Sequence, residues 1–348
     1  MENVFFVVAL GTCAALLLTW AFRTLPEERW QIMATVPRKK DRTGVWVGTN
    51  LTYYGLITAS ASILAVVIFL LLMTSVSVPL SAALMAVAVV LVCCLPAAKL
   101  VARAVEGKQH TFSVAGATFI GVLLAPLVVA ALNVAVGANG PHSPMGPTVA
   151  AMSIAYVCGE GLGRLACISF GCCYGKPITE VGAAARRWFE RFHFAFSGST
   201  KKIAYASNLE GIKVVPIQAM TSTLYVAVGL VAMLLFLESR FRTAFIVAIV
   251  FSQAWRVYSE TLRADYRGDG KISAYQRMAA AGIVYAVAVA VAVPDTTTTA
   301  DLTAGLVALW DPVVIIMLQL LWAFMFLYTG WSMVTGSQLS FHVHRDRI

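Results

Sequence analysis

Charged residues are scarce in this 348-residue chain: they make up 12% of it, while 59% is hydrophobic. So little charge cannot wrap a water-soluble core of ordinary composition, which excludes soluble enzymes, nucleases and secreted scaffolds together. Apolar runs such as 56–72 and 244–251 recur along almost the whole length, and membrane insertion accounts for all of them. Acidic residues are the scarcer sign, 17 Asp and Glu against 26 Lys and Arg, for a formal charge of +9. In a membrane protein that excess places loops against an anionic leaflet, so no nucleic-acid partner is expected. The seven cysteines are odd in number and mostly lie in apolar stretches, which argues against a disulfide framework and leaves reduced thiols as the expectation. The first apolar run, 4–22, lacks the basic lead and small-residue exit of a removable signal peptide and reads as a retained span. No internal repeat of fixed period is present.

What is there is an all-α, polytopic membrane helical bundle of about nine spans, eight being the alternative. They are expected near 4–22, 51–74, 79–102, 113–134, 148–172, 217–237, 243–262, 276–293 and 303–331. In the last, Asp311-Pro312 either kinks one long helix or marks a turn before a span that begins near Pro312. With nine spans, alternate loops share a side. Residues 23–50, 99–112, 174–214, 263–277 and 341–348 hold 22 Lys and Arg, and the opposite set holds only Arg240 and Arg242. The positive-inside rule then puts the first set in the cytoplasm and the N-terminus outside. Residues 135–147 read as an uncharged Gly/Pro coil. Residues 178–213 form a mixed extramembranous head, with 186–192 resembling an interfacial amphipathic helix and Lys201-Lys202 a basic patch near headgroups.

Charges inside spans mark the candidate site. Glu160 and Arg164 are four residues apart on one helix face, in a stretch holding Gly159, Gly161, Gly163, Gly171 and Gly175. Either they neutralise each other in a packed bundle, or Arg164 stands beside a lipid phosphate, which the planar donor fork of a guanidinium suits. Arg256, Glu260 and Arg263 follow at i, i+4 and i+7, either as a network anchoring a helix end or as part of a binding pocket. Asp265 to Gln276 has the outline of a calcium loop, but Arg267 and Gln276 stand where carboxylates are needed. Cys158, Cys167, Cys172 and Cys173 have neither zinc-ribbon nor CxxC spacing and no histidine nearby in sequence. Three readings stay open for them: close-packing residues, a nucleophile near Lys176, or a metal site, with packing the main expectation and no metal or cofactor expected.

The stretch Gly163-Arg-Leu-Ala-Cys-Ile-Ser-Phe-Gly-Cys-Cys-Tyr-Gly-Lys-Pro177 resembles the arginine motif of the prolipoprotein diacylglyceryl transferase family. Tyr53-Tyr54-Gly55-Leu56, Val215-Pro-Ile-Gln218 and the Arg256 to Gly268 segment resemble other family motifs in the same order. The resemblance covers roughly 50–293 and implies a seven-span core with one added span at each end. The division is then 1–49, a core of 50–293 that includes the 174–214 head, and 294–348. It also implies transfer of the diacylglyceryl group of phosphatidylglycerol to a thiol, with release of glycerol phosphate. By the same resemblance, Arg164 and Arg256 match the essential motif arginine and the late headgroup arginine, Glu260 and Arg263 the charged positions beside them, and Tyr54 the family tyrosine. The chain departs from the pattern where Val114 replaces a histidine, where Cys167 and Cys172 replace an asparagine and a glutamate, and where Val215 replaces the histidine of His-Pro-x-Gln.

The resulting expectation is a phospholipid-dependent transferase of the bacterial inner membrane. Its partner is an anionic glycerophospholipid, plausibly phosphatidylglycerol, and its acceptor is unknown. Arg164, Arg256 and Glu260 are the expected catalytic group, while Tyr54, Glu160, Gln218 and Arg263 are expected to contact substrate. The family keeps its head region outside the inner membrane, whereas the charge count puts 174–214 in the cytoplasm; an inverted orientation is the reading favoured. The alternatives are a lipid or small-anion transporter and a noncatalytic lipid-binding protein.

Overall fold

A computed structural model describes residues 1–107, 114–137, 142–265, 272–294 and 296–348. In chain order its elements are α1 (Glu2–Thr24), β1 (Ile32–Lys40), β2 (Trp46–Thr52), α2 (Tyr53–Ser75), α3 (Leu80–Glu106), α4 (Val114–Val136) and α5 (Met145–Phe170). There follow two short helices, α6 (Ala183–Phe189) and α7 (Lys202–Ser207), then α8 (Ile217–Leu237), α9 (Phe241–Ser259) and α10 (Ala274–Ala292). The chain ends with the short α11 (Leu302–Ala308), α12 (Pro312–Gly330) and β3 (Trp331–Leu339). It is a polytopic helical membrane protein: eight helices are long and apolar enough to cross a bilayer. Helix α9 is less apolar because it carries Arg242, Gln253 and Arg256, yet it packs against α5, α8 and α10 inside the bundle.

Hydrogen bonds sort the helix ends into two sets. At one end, Asp301 N donates to Ser75 O (2.8 Å), Ala300 N to Ser239 Oγ (3.1 Å) and Asn3 Nδ2 to Leu237 O (3.2 Å). At the other, Gln31 Nε2 donates to Thr200 O (2.8 Å), Lys176 N to Leu262 O (2.9 Å), and Gly175 bridges Arg263. The basic loops 23–50 and 174–214 therefore meet the end of α9.

Helix α5 is the hub, packed on α2, α8 and α9. Its glycines permit this: a Cβ on Gly159 would stand 2.7 Å from Ala65 Cβ, and one on Gly161 3.0 Å from Tyr225 Cβ. Small residues allow such close approach where helices pack in lipid. Three boundaries differ from expectation. Helix α5 starts at Met145, three residues earlier. Residues 303–331 split at Asp311, whose carboxylate caps α12 through Val313 N (2.8 Å) with Pro312 in the first turn, so the turn reading holds and the kink reading does not. Helix α9 stops at Ser259 and tightens into a 3-10 turn over Glu260–Leu262. Of the expected Gly/Pro coil, 138–141 lie outside the described residues, as do 266–271 of the calcium-like stretch.

A three-stranded antiparallel sheet, order β1-β2-β3, was not legible in residues counted only as a basic loop and a tail. Buried Asn50 ties it together: its Oδ1 accepts from Thr35 Oγ1 (2.8 Å) and Ser337 Oγ (2.6 Å), and its Nδ2 donates to Thr335 Oγ1 (3.2 Å). Thr52 then caps α2 and donates to Gly330 O (3.0 Å), joining both chain ends to the core.

Lys201 corrects the reading of Lys201-Lys202 as a headgroup patch. It is fully buried, and its ammonium donates to Ser169 O (2.7 Å) and Leu25 O (3.1 Å), capping the end of α5 where cations are favoured. Burial pushes this ammonium down to about 8, against an ordinary 10.5, with Glu28 opposing part of the shift. The unfolded chain then binds more protons than the native one between those two values, so this group's contribution to stability rises with pH across about 8 to 10.5. Thermal unfolding of detergent-solubilised protein should therefore show a smaller gain, or a steeper loss, over that window in Lys201→Met than in the parent. A parallel pH dependence in the two proteins would contradict the burial of this charge.

Candidate functional site

A cavity of about 440 Å3 lies between α2, the α3–α4 hairpin, α5 and α9. Along α5 its lining runs from Val149 to Cys167, about 27 Å at the helical rise, close to the hydrocarbon thickness of a bilayer. Nearly all of it is apolar: Val66, Phe69, Val87, Val90, Leu91, Val122, Met152 and Ile249 among others. Polar groups concentrate toward the head end, at Tyr54, Tyr156, Glu160 and Arg164. Val114, exposed, and the half-buried Val90, Leu91 and Ala117 form the side toward α3 and α4. A smaller space at the opposite end contains Arg240 and Arg242.

The head end of the cavity is organised by one carboxylate. Glu160, on α5, accepts from Arg256 Nη2 on α9 through both oxygens (2.7 and 2.5 Å) and from Arg164 Nη2 one turn along its own helix. All three side chains are almost inaccessible, at 4%, 7% and 11% respectively. Tyr156, a turn before Glu160, takes donations on its hydroxyl from Arg256 Nη2 (3.1 Å) and Gln253 Nε2 (3.3 Å). Tyr225 Oη donates to Ser252 O (2.8 Å) and locks α8 to α9 beneath them. One carboxylate between two guanidiniums leaves net positive charge in a low-dielectric setting, where an unpaired charge is most costly. The Nε groups of Arg164 and Arg256 are buried and donate to nothing among the described residues.

The expected site residues divide into two groups. Arg164, Glu160, Arg256 and Tyr54 come together; Tyr54 lines the cavity with its ring 5.6 Å from Phe170. Glu160 and Arg164 form the neutralising pair, and both also line the cavity. Glu260 and Arg263 do not join them. With α9 ending at Ser259, the i, i+4, i+7 face is broken: Arg263 forks onto Asp265 (2.8 and 2.9 Å) and lies 3.9 Å from Glu260, which also meets Ser273 Oγ at 3.5 Å. That cluster fastens the end of α9 to the start of α10. Gln218 is likewise absent from the cavity lining; its Nε2 donates to Cys172 O (2.8 Å), fixing the loop after α5 to α8. Sequence reasoning missed Tyr156 and Gln253, although each sits one helical turn before a charged residue it supports, at i−4 from Glu160 and i−3 from Arg256.

The loop after α5 brings Cys167, Cys172 and Cys173 together, with their three sulfurs within 4.8 Å of one another. Gly171 ends the helix at φ +70°, and Cys173 is itself left-handed at φ 57°. Val114, where the resembled family pattern has a histidine, puts an isopropyl group on the cavity rim instead.

The fold and this site define a multi-pass membrane protein with a membrane-length apolar cavity that ends at buried Arg164 and Glu160, the latter also holding Arg256. Residues 45–292, well over half the chain, match the family model of prolipoprotein diacylglyceryl transferase, and the chain belongs to that family. Neither the curated proteins nor the solved structures searched give a match.

Glu160→Gln removes the carboxylate that, among the described residues, neutralises both arginines. Breaking such a buried pair costs about 3 to 5 kcal/mol, so the variant should unfold well below the parent in a denaturation series. Glu260→Gln should lose much less, because Arg263 keeps Asp265. Equal losses would contradict the central place given to Glu160.

Proposed function

We propose that the protein is a phospholipid-dependent transferase that draws an anionic glycerophospholipid, phosphatidylglycerol by family analogy, sideways from the bilayer into this cavity. The observation that carries the reading is an apolar trough of membrane length ending at buried Arg164 and Glu160, with Arg256 paired to that same carboxylate just behind the lining and an unsatisfied Nε on each arginine. Acyl chains suit the trough. The phosphate oxygens would satisfy the guanidinium donors and balance the positive charge that Glu160 leaves over. As the bond between glycerol carbon and phosphate oxygen breaks, negative charge grows on the departing phosphate, and preorganised donors stabilise that change more than the ground state. Arg164 and Arg256 are the proposed catalytic residues, with Glu160, Tyr156 and Gln253 holding them in place. Tyr54 is proposed to contact the substrate at the cavity mouth. Glu260, Arg263 and Gln218 act at one remove, by setting the end of α9 and the loop at 171–175.

The reading also assigns the protein to the bacterial inner membrane, with the sheet and the 174–214 head in the cytoplasm, on the strength of the loop charges. A transporter reading has less support, because the sequence shows no internal repeat of fixed period of the kind many transporter folds carry.

Purified protein with labelled phosphatidylglycerol tests the activity. Catalysis releases glycerol phosphate, whereas transport moves the lipid across a vesicle wall unchanged. Arg164→Ala should lower turnover about 100-fold or more, and Arg164→Lys should recover little, since an ammonium cannot reproduce two parallel donors. Full turnover by correctly folded Arg164→Ala would exclude the assignment. For orientation, a cysteine at exposed Ser199 should resist an impermeant thiol reagent in intact cells while one at exposed Thr297 reacts, measured over the background of the native thiols. The reverse pattern would restore the outward-facing head.

A further inference from the structure

We propose that Cys167, Cys172 and Cys173 form a three-thiolate zinc site with one coordination position left for an incoming ligand. Their sulfurs lie within 4.8 Å of one another, and among the described residues no histidine or carboxylate belongs to the group. Tetrahedral Zn2+ bound at the usual Zn–S length of about 2.3 Å places its sulfurs about 3.8 Å apart, so closing the site requires each sulfur to move by less than about 1 Å. Side-chain torsions supply that without moving the backbone.

The backbone around the thiols is already fixed. Gln218 holds the Cys172 carbonyl at 2.8 Å, and Gly171 turns the chain back at φ +70°, which brings Cys172 and Cys173, five and six residues on, to Cys167. Three thiolates on one Zn2+ carry a net charge of −1. Positive groups stand near these sulfurs to offset that charge: Arg164 near Cys167, Lys202 near Cys172 and Cys173, and Arg263 near Cys173, although Arg164 and Arg263 are also paired with Glu160 and Asp265. Binding releases the thiol protons, which is why such sites strengthen as pH rises.

Three protein ligands and an open fourth position mark catalytic rather than structural zinc, which is closed by four. Cys167 is the ligand that also lines the lipid cavity, on the same face as Arg164 one turn away. Resting on the transferase reading above, the fourth position would take the acceptor as a thiol, the soft group that thiolate-bound zinc accommodates best. On coordination the S–H would give up its proton to bulk water at the head end. Its sulfur pair then forms a bond to the glycerol carbon, the bond from that carbon to the phosphate oxygen breaks, and the electron pair leaves on the phosphate facing Arg164 and Arg256. This gives Cys172 a role in place of the glutamate in the resembled motif. It also supplies thiol activation where Val114 and Val215 stand in place of histidines.

Metal binding is read independently of turnover. Reduced, full-length protein in detergent is incubated with Zn2+ alone, separated from excess, and analysed for metal; one tightly held zinc per chain is expected, falling at least about tenfold in Cys172→Ser. With Co2+ in place of Zn2+, thiolate charge-transfer bands should appear and shift when a small thiol, N-acetylcysteine, is added. Retention of the metal by Cys172→Ser, or its absence from the parent, would overturn the site, and an unmoved Co2+ spectrum would overturn the open position. Should Cys172→Ser fail to fold, the parent still decides the matter. Bound Zn2+ must protect Cys167, Cys172 and Cys173 from alkylation while Cys13 and Cys93 react as before, and equal labelling with and without Zn2+ would overturn the proposal. Failure of the phospholipid assay with zinc bound would count against the transferase reading and leave the site standing.

Discussion

A single carboxylate shared by two guanidiniums fixes how this bundle is put together. In a low-dielectric interior, Arg164 and Arg256 cannot be left alone, and among the described residues Glu160 is the acid that pairs with both. Since Arg256 lies on α9 and Glu160 on α5, the ion pair holds a comparatively polar helix at the centre of an apolar protein. Glycines on α5 then bring α2 and α8 close, and the α3–α4 hairpin stands off far enough to leave the cavity. The same triad puts surplus positive charge at the head end of that cavity, where a lipid phosphate would lie.

The head end is built to hold this arrangement still. Buried Lys201 caps α5, Gln218 fastens the loop that follows, and the Glu260, Arg263 and Asp265 cluster ties α9 to the start of α10. The sheet adds a further constraint by joining the residues just before α2 to those just after α12 through Asn50 and Thr52. The segments flanking the family-matched region are therefore stitched to the core at the end that carries the site.

Much of the fold was legible because lipid imposes a length on apolar runs. Helices α2, α8 and α12 fall within a few residues of expectation, except that α12 begins only after its Asp311-Pro312 turn. Arg164 was legible because a charge among glycines in a span demands an explanation. The second partner of Glu160 was not, because Glu160 meets Arg256 across 96 residues of chain and no local period encodes that contact. The i, i+4, i+7 pattern of Arg256, Glu260 and Arg263 misled, since it assumed a helix continuing past Ser259. Strands β1 and β3 were hidden because Pro37 and a run of basic residues in one, and short polar residues in the other, look like surface loop. Lys201 was misplaced for a related reason: its sequence neighbourhood says surface, while its partners, Leu25 and Ser169, come from distant elements.

The central claim is that lipid occupies the space between α5 and the α3–α4 hairpin with its phosphate at Arg164 and Arg256. Phosphatidylglycerol carrying a photoreactive group within an acyl chain tests this in native membranes. After irradiation, peptide mapping should find the label on cavity-lining residues such as Val90, Ala117 and Met152, and lose it there in Arg164→Ala. Label confined to the outer faces of α1 and α12, or cavity labelling unchanged in Arg164→Ala, would contradict the account.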